Sequence, residues 1–357
     1  MSNNNGKQFS DEFPLIAKKA NESIEKLHQQ SLLPGIDSDT VEKNKNITFN
    51  KKGASSRAIV EQFQVDLWRS EQQGFFTQIE INNTSRFPTL LGRLPIFLPQ
   101  SADEQKLSLD HDSAYPFKTP FGRGRRFGPL VTTEDEDIFL ALLRLAKKRL
   151  SGKGDNLPIK VNHYLQTNKG RVDVHLAVVT ITQVLKEAGL SNGGNNYSNV
   201  LSSLKRLPHV SVEIETKKQD RYFGTSWQGE VVKLVDIRWR AYEEHGVVLA
   251  QFNPLIVKWL EDERTFYKST IRKKLISQNS KALYRFLATQ GNSYEQELTY
   301  IADVIGMDRK SRERLKRSFS RALSPLEKVG WCEFNIIGNG RNQPFRLQFE
   351  RLKTTLE

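Results

Sequence analysis

The stretch Asp308–Glu327, DRKSRERLKRSFSRALSPLE, carries two patterns at once. At 100° per residue, Lys310, Arg314, Arg317 and Arg321 fall on one narrow stripe, and Leu315, Phe319, Ala322 and Leu326 fall on the opposite side. The apolar stripe seats a helix on a core, and the cationic stripe faces away from it. Ordinary solvated helix faces mix Glu with Lys for i,i+4 support. Here Glu313 is the only acid between Lys310 and Arg321. A row of one sign needs a dense line of anions opposite, and a nucleic-acid phosphate backbone is the commonest one.

Working outward, the residues after this helix read as a hairpin. Trp331–Ile337 and Phe345–Phe349 flank GNGRNQP, with Asn339–Arg341 at the tip. Before it come a helix over Ser280–Thr289, a short helix over Leu298–Ile305 stopped by Gly306, and the turn MDRK. The same order stands upstream. Thr133 is read as the N-cap of a helix whose first turn carries Glu134–Asp137, acids that suit a helix N-terminus. Val179–Ala188 is a second helix, LSNGGNN a turn, and Tyr197–Leu207 a third helix. Strands are expected over Val210–Thr216, Val231–Trp239 and Val247–Phe252. Helix, helix, turn, helix, hairpin is the winged-helix variant of helix-turn-helix.

The expected fold class is therefore α+β: two tandem winged-helix domains with a partly disordered N-terminal extension. The first domain spans 121–253 and the second 254–357, with a connecting helix within Asn253–Lys274. Residues 1–56 read as a flexible tail and linker with an amphipathic helix in Phe13–Leu33. Residues 57–120 read as an accessory region, with strands at Phe75–Ile81 and Leu94–Leu98 and a loop over Ser101–Tyr115.

Composition agrees with a nucleic-acid partner. The 357 residues carry a net charge of +13, and the pI is about 9.6. The apolar fraction of 37% supports two small cores plus a polar tail. No 18-residue apolar run is present and Met1–Lys7 leads into polar sequence, so neither a membrane span nor a signal peptide is expected. The lone Cys332 excludes an intrachain disulfide and a Cys-based zinc site, which fits a reducing, cytoplasmic setting.

The third helix of each half is the candidate reading helix. In the second half the candidates are Arg309, Lys310, Arg312, Arg314, Arg317 and Arg321. Arg can bond guanine O6 and N7 through two parallel bonds. In the first half the outer face is polar: Asn195, Asn196, Ser198, Asn199, Ser202 and Lys205. Asn can pair with adenine N6 and N7. Arg341 suits a wing contact. Arg123, Arg125 and Arg126 in GRGRRFG read as a Gly-rich turn that lets a backbone approach phosphate.

Enzymatic readings find little support. No G-x-x-x-x-G-K-[ST] is present, the six histidines form neither H-x-H nor H-E-x-x-H, and H-x-x-R is missing. No catalytic residue, metal or cofactor is expected. A nicking or joining enzyme would need Tyr197, Tyr284 or Tyr300 as its nucleophile.

The span 122–145, GRGRRFGPLVTTEDEDIFLALLRL, resembles the opening of the first winged-helix domain in plasmid replication initiators of the RepA and TrfA type. There a glycine/arginine stretch precedes a T-x-x-D-x-x-hydrophobic helix. The resemblance implies binding to origin repeats (iterons) in double-stranded DNA, origin opening, and recruitment of a host initiator and replicative helicase. It also implies a dimer that represses its own gene, and a bacterial protein associated with nucleoid or plasmid. The alternative is a winged-helix transcriptional repressor without origin activity.

Overall fold

The computed structural model describes residues 77–80, 86–100, 114–119, 122–146, 148–152, 172–220, 224–241, 246–307 and 311–352. All lie in one compact unit, Ser55–Glu357. The expected tail, the helix in Phe13–Leu33 and the linker fall outside them.

The fold is mixed α and β. Its centre is helix α2, Thr133–Leu145, which follows β1 (Thr77–Glu80), β2 (Arg86–Pro88), α1 (Thr89–Gly92), β3 (Tyr115–Thr119) and β4 (Gly122–Phe127). Six consecutive residues of α2, Ile138 to Leu143, are buried, so the helix is covered on every side rather than along one stripe. Its cap is Thr132, one residue before the expected position. The Thr132 side chain accepts from the Glu134 N–H, and Asp135 reaches back to the Thr132 N–H at 2.9 Å.

Next come β5 (Lys148–Gly152) and β6 (Val172–Thr180), then α3 (Ile181–Ala188) and α4 (Gly194–Arg206). The expected start of α3 at Val179 is two residues early. Thr180 ends β6 and caps α3 through Gln183, so the chain changes period there. Gly189, in the left-handed conformation, closes α3. Strands β7 (Ser211–Asp220), β8 (Gly224–Lys233), β9 (Val235–Ala241) and β10 (Gly246–Phe252) follow.

The antiparallel strands form a five-stranded sheet, β1-β5-β6-β10-β9, and a four-stranded sheet, β3-β4-β7-β8. Residues before 121 are thus woven into both sheets. The Gly-rich turn expected at GRGRRFG is instead the strand β4, between β3 and β7. Gly124 is needed because a Cβ there would lie 1.8 Å from the Glu213 carbonyl oxygen. Leu94–Leu98 is buried but not a strand. Only Leu98 bridges Thr132, beside the entry to α2. A short, wholly buried apolar run has no period to read.

The second half opens with α5 (Pro254–Asp262), β11 (Arg264–Phe266) and α6 (Ser269–Lys274), three pieces where one connecting helix was expected. Strand β11 pairs with β2. Then come α7 (Gln278–Ala288), β12 (Ser293–Glu297), α8 (Leu298–Ile305), α9 (Arg312–Lys328), β13 (Cys332–Ile337) and β14 (Arg346–Arg351), with the sheet order β12-β14-β13. One apolar core runs through both halves. Aromatic contacts mark it: Phe97–Phe139 at 5.6 Å, Phe139–Phe252 at 5.4 Å, Tyr267–Tyr284 at 5.8 Å and Tyr284–Trp331 at 4.7 Å.

Candidate nucleic-acid interface

Helix α9 buries Leu315, Phe319, Ala322, Leu323 and Leu326. Each fully buried Leu or Phe contributes roughly 1.5–3 kcal/mol, which fixes the rotation of the helix about its axis. That rotation leaves Arg314, Arg317 and Arg321 exposed, and none forms an ion pair among the described residues. The turn before α9 starts from Gly306 at φ 71°, where a Cβ would meet Leu98 Cδ2 at 2.3 Å. Arg309 and Lys310 lie outside the described residues.

Arg312 is exposed and also makes a bond within the protein. Its Nη1 donates to the Gly340 carbonyl at 2.6 Å, tying the β13–β14 loop to the start of α9. Within that loop, Asn339 Oδ1 accepts from the backbone N–H groups of Arg341, Asn342 and Gln343, each at 3.1 Å. Gly340 has φ 72° and sits against the Phe345 ring. Lys316 Nζ lies 4.8 Å from the centre of that ring. These bonds hold the loop to one shape, and Arg341 is exposed at its tip.

Helix α4 buries Val200, Ser203 and Leu204. Asn195, Ser198, Asn199, Ser202 and Lys205 are exposed. Asn196 is spent locally: its Nδ2 donates to the Ser191 carbonyl at 3.0 Å and to Ser191 Oγ at 2.9 Å. A Cβ on Gly193 or Gly194 would touch nothing within 4 Å, so the approach to this helix end is open. Trp239, not among the expected residues, stands beside α4 with Lys205 Nζ 5.4 Å from its ring centre. It is 37% exposed, an unusual position for so large an apolar surface. Its only signal in the sequence is the alternation of VDIRWRA.

The arginines of β4 divide. Arg125 is exposed. Arg123 pairs with Glu215 at 2.5 Å. Arg126 is only 2% exposed and cannot be a phosphate clamp as it stands. Its guanidinium lies 5.5 Å from the Tyr115 ring centre and donates to the Pro129 carbonyl at 3.4 Å. Burial pushes its pKa down to about 10, against the opposing pull of Tyr115 and Asp135.

The carboxylates at the start of α2 do more than complement a helix dipole. Asp135 pairs with Arg206 of α4 at 2.6 Å. Glu136 takes Arg285 at 2.7 Å and Arg272 at 3.1 Å, and Asp137 takes Arg272 at 2.6 Å and Lys281 at 2.5 Å. The two buried arginines respond in opposite directions. Burial lowers the pKa of both, but Asp137 and Glu136 together outweigh it at Arg272 and raise that group. Arg285 shares Glu136, finds no acceptor for Nε and Nη2 among the described residues, and stays below the ordinary value.

Of the tyrosines considered as nucleophiles, Tyr284 is 1% exposed, and its hydroxyl accepts from the Lys268 N–H at 2.9 Å. Burial raises the pKa of Tyr197, Tyr284 and Tyr300, the direction opposite to activation. Among the described residues no helix is long and apolar enough to cross a membrane.

No family model and no curated protein matches the chain. Solved structures do. Domains 2 and 3 of RctB, crystallised as the selenomethionine derivative, superpose with a TM-score of 0.51 at 11% identity. The match covers 74% of this chain and 98% of that one. A second crystal structure of RctB domains 2–3 gives a TM-score of 0.44 at 10% identity, covering 74% and 96%. At the TM-score of 0.51 the chain shares its fold with the RctB domains of the first structure.

Proposed function

We propose that the chain is a replication initiator that binds duplex DNA through two winged-helix halves. In this reading α4 and α9 enter successive major grooves, and the loop after β13 acts as a wing. The observation that carries it is the exposed stripe Arg314, Arg317 and Arg321, without ion-pair partners among the described residues, beside a loop held by Arg312 and Asn339. Three cations at this spacing match a phosphate backbone better than a protein surface, where acids and bases alternate. The shared fold with domains of RctB, a replication initiator, supports the same reading.

Arg314 is placed nearer base edges and Arg317 and Arg321 nearer phosphates. Asn199, Ser202 and Asn195 supply base contacts from α4. The protein works without catalysis at repeated origin sequences of the plasmid type. It acts in the cytoplasm, where it opens the duplex, recruits a host initiator and helicase, and pairs with a second copy when it represses its own gene.

Footprinting of the purified full chain on the DNA flanking its gene, at two salt concentrations, tests this. Protected direct repeats of roughly two helical turns each are expected. A single inverted repeat over the promoter would turn the reading to a repressor, and no protection would end both.

A further inference from the structure

The acidic first turn of α2 is a sequence motif that DNA contact leaves unused, and its partners come from both halves of the chain. Asp135 holds Arg206, at the C-terminal end of α4. Glu136 and Asp137 hold Arg272 of α6 and Arg285 and Lys281 of α7. Arg272 also donates to the carbonyls of Thr133 at 3.2 Å and Lys281 at 3.3 Å, and Arg285 to that of Phe97 at 3.0 Å. Gln278 of α7 adds a contact to Glu134 at 3.4 Å. Helix α7 in turn packs on α9. A continuous chain of side chains thus runs from one candidate reading helix to the other.

Such a cluster has few alternative arrangements. Glu136 is 1% exposed and Arg272 and Arg285 are 3% exposed, so a shift of α7 along α2 would leave charges buried and unpaired. An apolar interface resists sliding only through the shape of its packing, because apolar burial itself has no direction. Hydrogen-bonded charges do not tolerate it.

We infer that the acidic turn of α2 fixes α4 relative to α9, so that the chain reads two half-sites at one spacing and one helical phase, with Glu136 and Asp137 as positioning residues. This rests on the duplex-binding reading and deepens it.

The test uses the full chain and a duplex site that it selects from a random pool. One to five base pairs are then inserted between the two protected half-sites. Five pairs turn the second half-site to the opposite side of the helix. Affinity is expected to fall by about 100-fold or more, to that of a single half-site. The double variant Asp137→Asn, Lys281→Met removes the Asp137–Lys281 ion pair and keeps an amide oxygen at 137 to accept from Arg272. It should keep single half-site affinity while its penalty for insertion shrinks at least about tenfold.

A wild-type chain indifferent to insertion would overturn the inference and leave duplex binding intact. A folded double variant with the full penalty would overturn the role given to the acidic turn. If the double variant does not fold, Asp137→Asn alone is read in the same insertion series, and a full penalty there overturns that role equally. Selection that returns no duplex would remove the DNA reading and this inference with it.

Discussion

Arg314, Arg317 and Arg321 on α9 face solvent with no carboxylate partner among the described residues, whereas Arg272 and Arg285 are buried against the acids of α2. The same residue type faces solvent in one region and forms a joint in the other. In the sequence the two sets look alike. What separates them is whether the fold brings acids within reach. A buried guanidinium must be paired or it is costly, while an exposed unpaired one remains available to an anion from outside.

That contrast is most exposed to failure at Glu136. Glu136→Ala leaves two buried arginines facing a gap and should cost about 3–5 kcal/mol of stability, read from the urea midpoint at constant slope. A loss under about 1 kcal/mol would mean that the cluster holds nothing together. Next is Gly124→Ala, whose Cβ collides with the Glu213 carbonyl. It should cost about 1–3 kcal/mol. A DNA-binding defect with stability unchanged would restore Gly124 to a phosphate-contacting turn.

On the surface side, Arg314→Ala combined with Arg317→Ala should lower the slope of log affinity against log salt by about two units. Folding stability should stay within about 0.5 kcal/mol of the parent. An unchanged slope would remove α9 as the contact face. Arg341→Ala at the loop tip should lower the slope by about one unit. The smallest effect on DNA binding belongs to Arg126→Met. Its charge is buried with a depressed pKa. The apolar replacement should leave binding unchanged and be neutral or stabilising in thermal unfolding.

Much of the local structure was legible. Helix α8 has the expected bounds, Leu298–Ile305, because Gly306 takes a left-handed conformation that ends it. The buried face of α9 contains Leu315, Phe319, Ala322 and Leu326 as periodicity requires. Asn339–Arg341 lies in the loop between two strands. Strands β3, β4 and β6 were not legible. GRGRRF has neither a hydrophobic alternation nor β-branched residues, and it is a strand because β3 and β7 pair with it on both sides. The 253–274 segment was read as one helix, since nothing local announces that β11 pairs with β2, far back in the chain.

The amino-acid sequence by itself determined the period of each long helix, the glycines that end α3 and α8, and the single-signed stripe on α9. These depend on neighbours three or four residues away, or on one residue's own backbone freedom. Only the tertiary structure decided which cations remain free. It drew Arg126 into the interior, set Arg312 on the Gly340 carbonyl, and spent Arg206, Arg272 and Arg285 on the acids of α2. Pairing of charges depends on distance in space, and residues 136 and 285 become neighbours only once the core has packed.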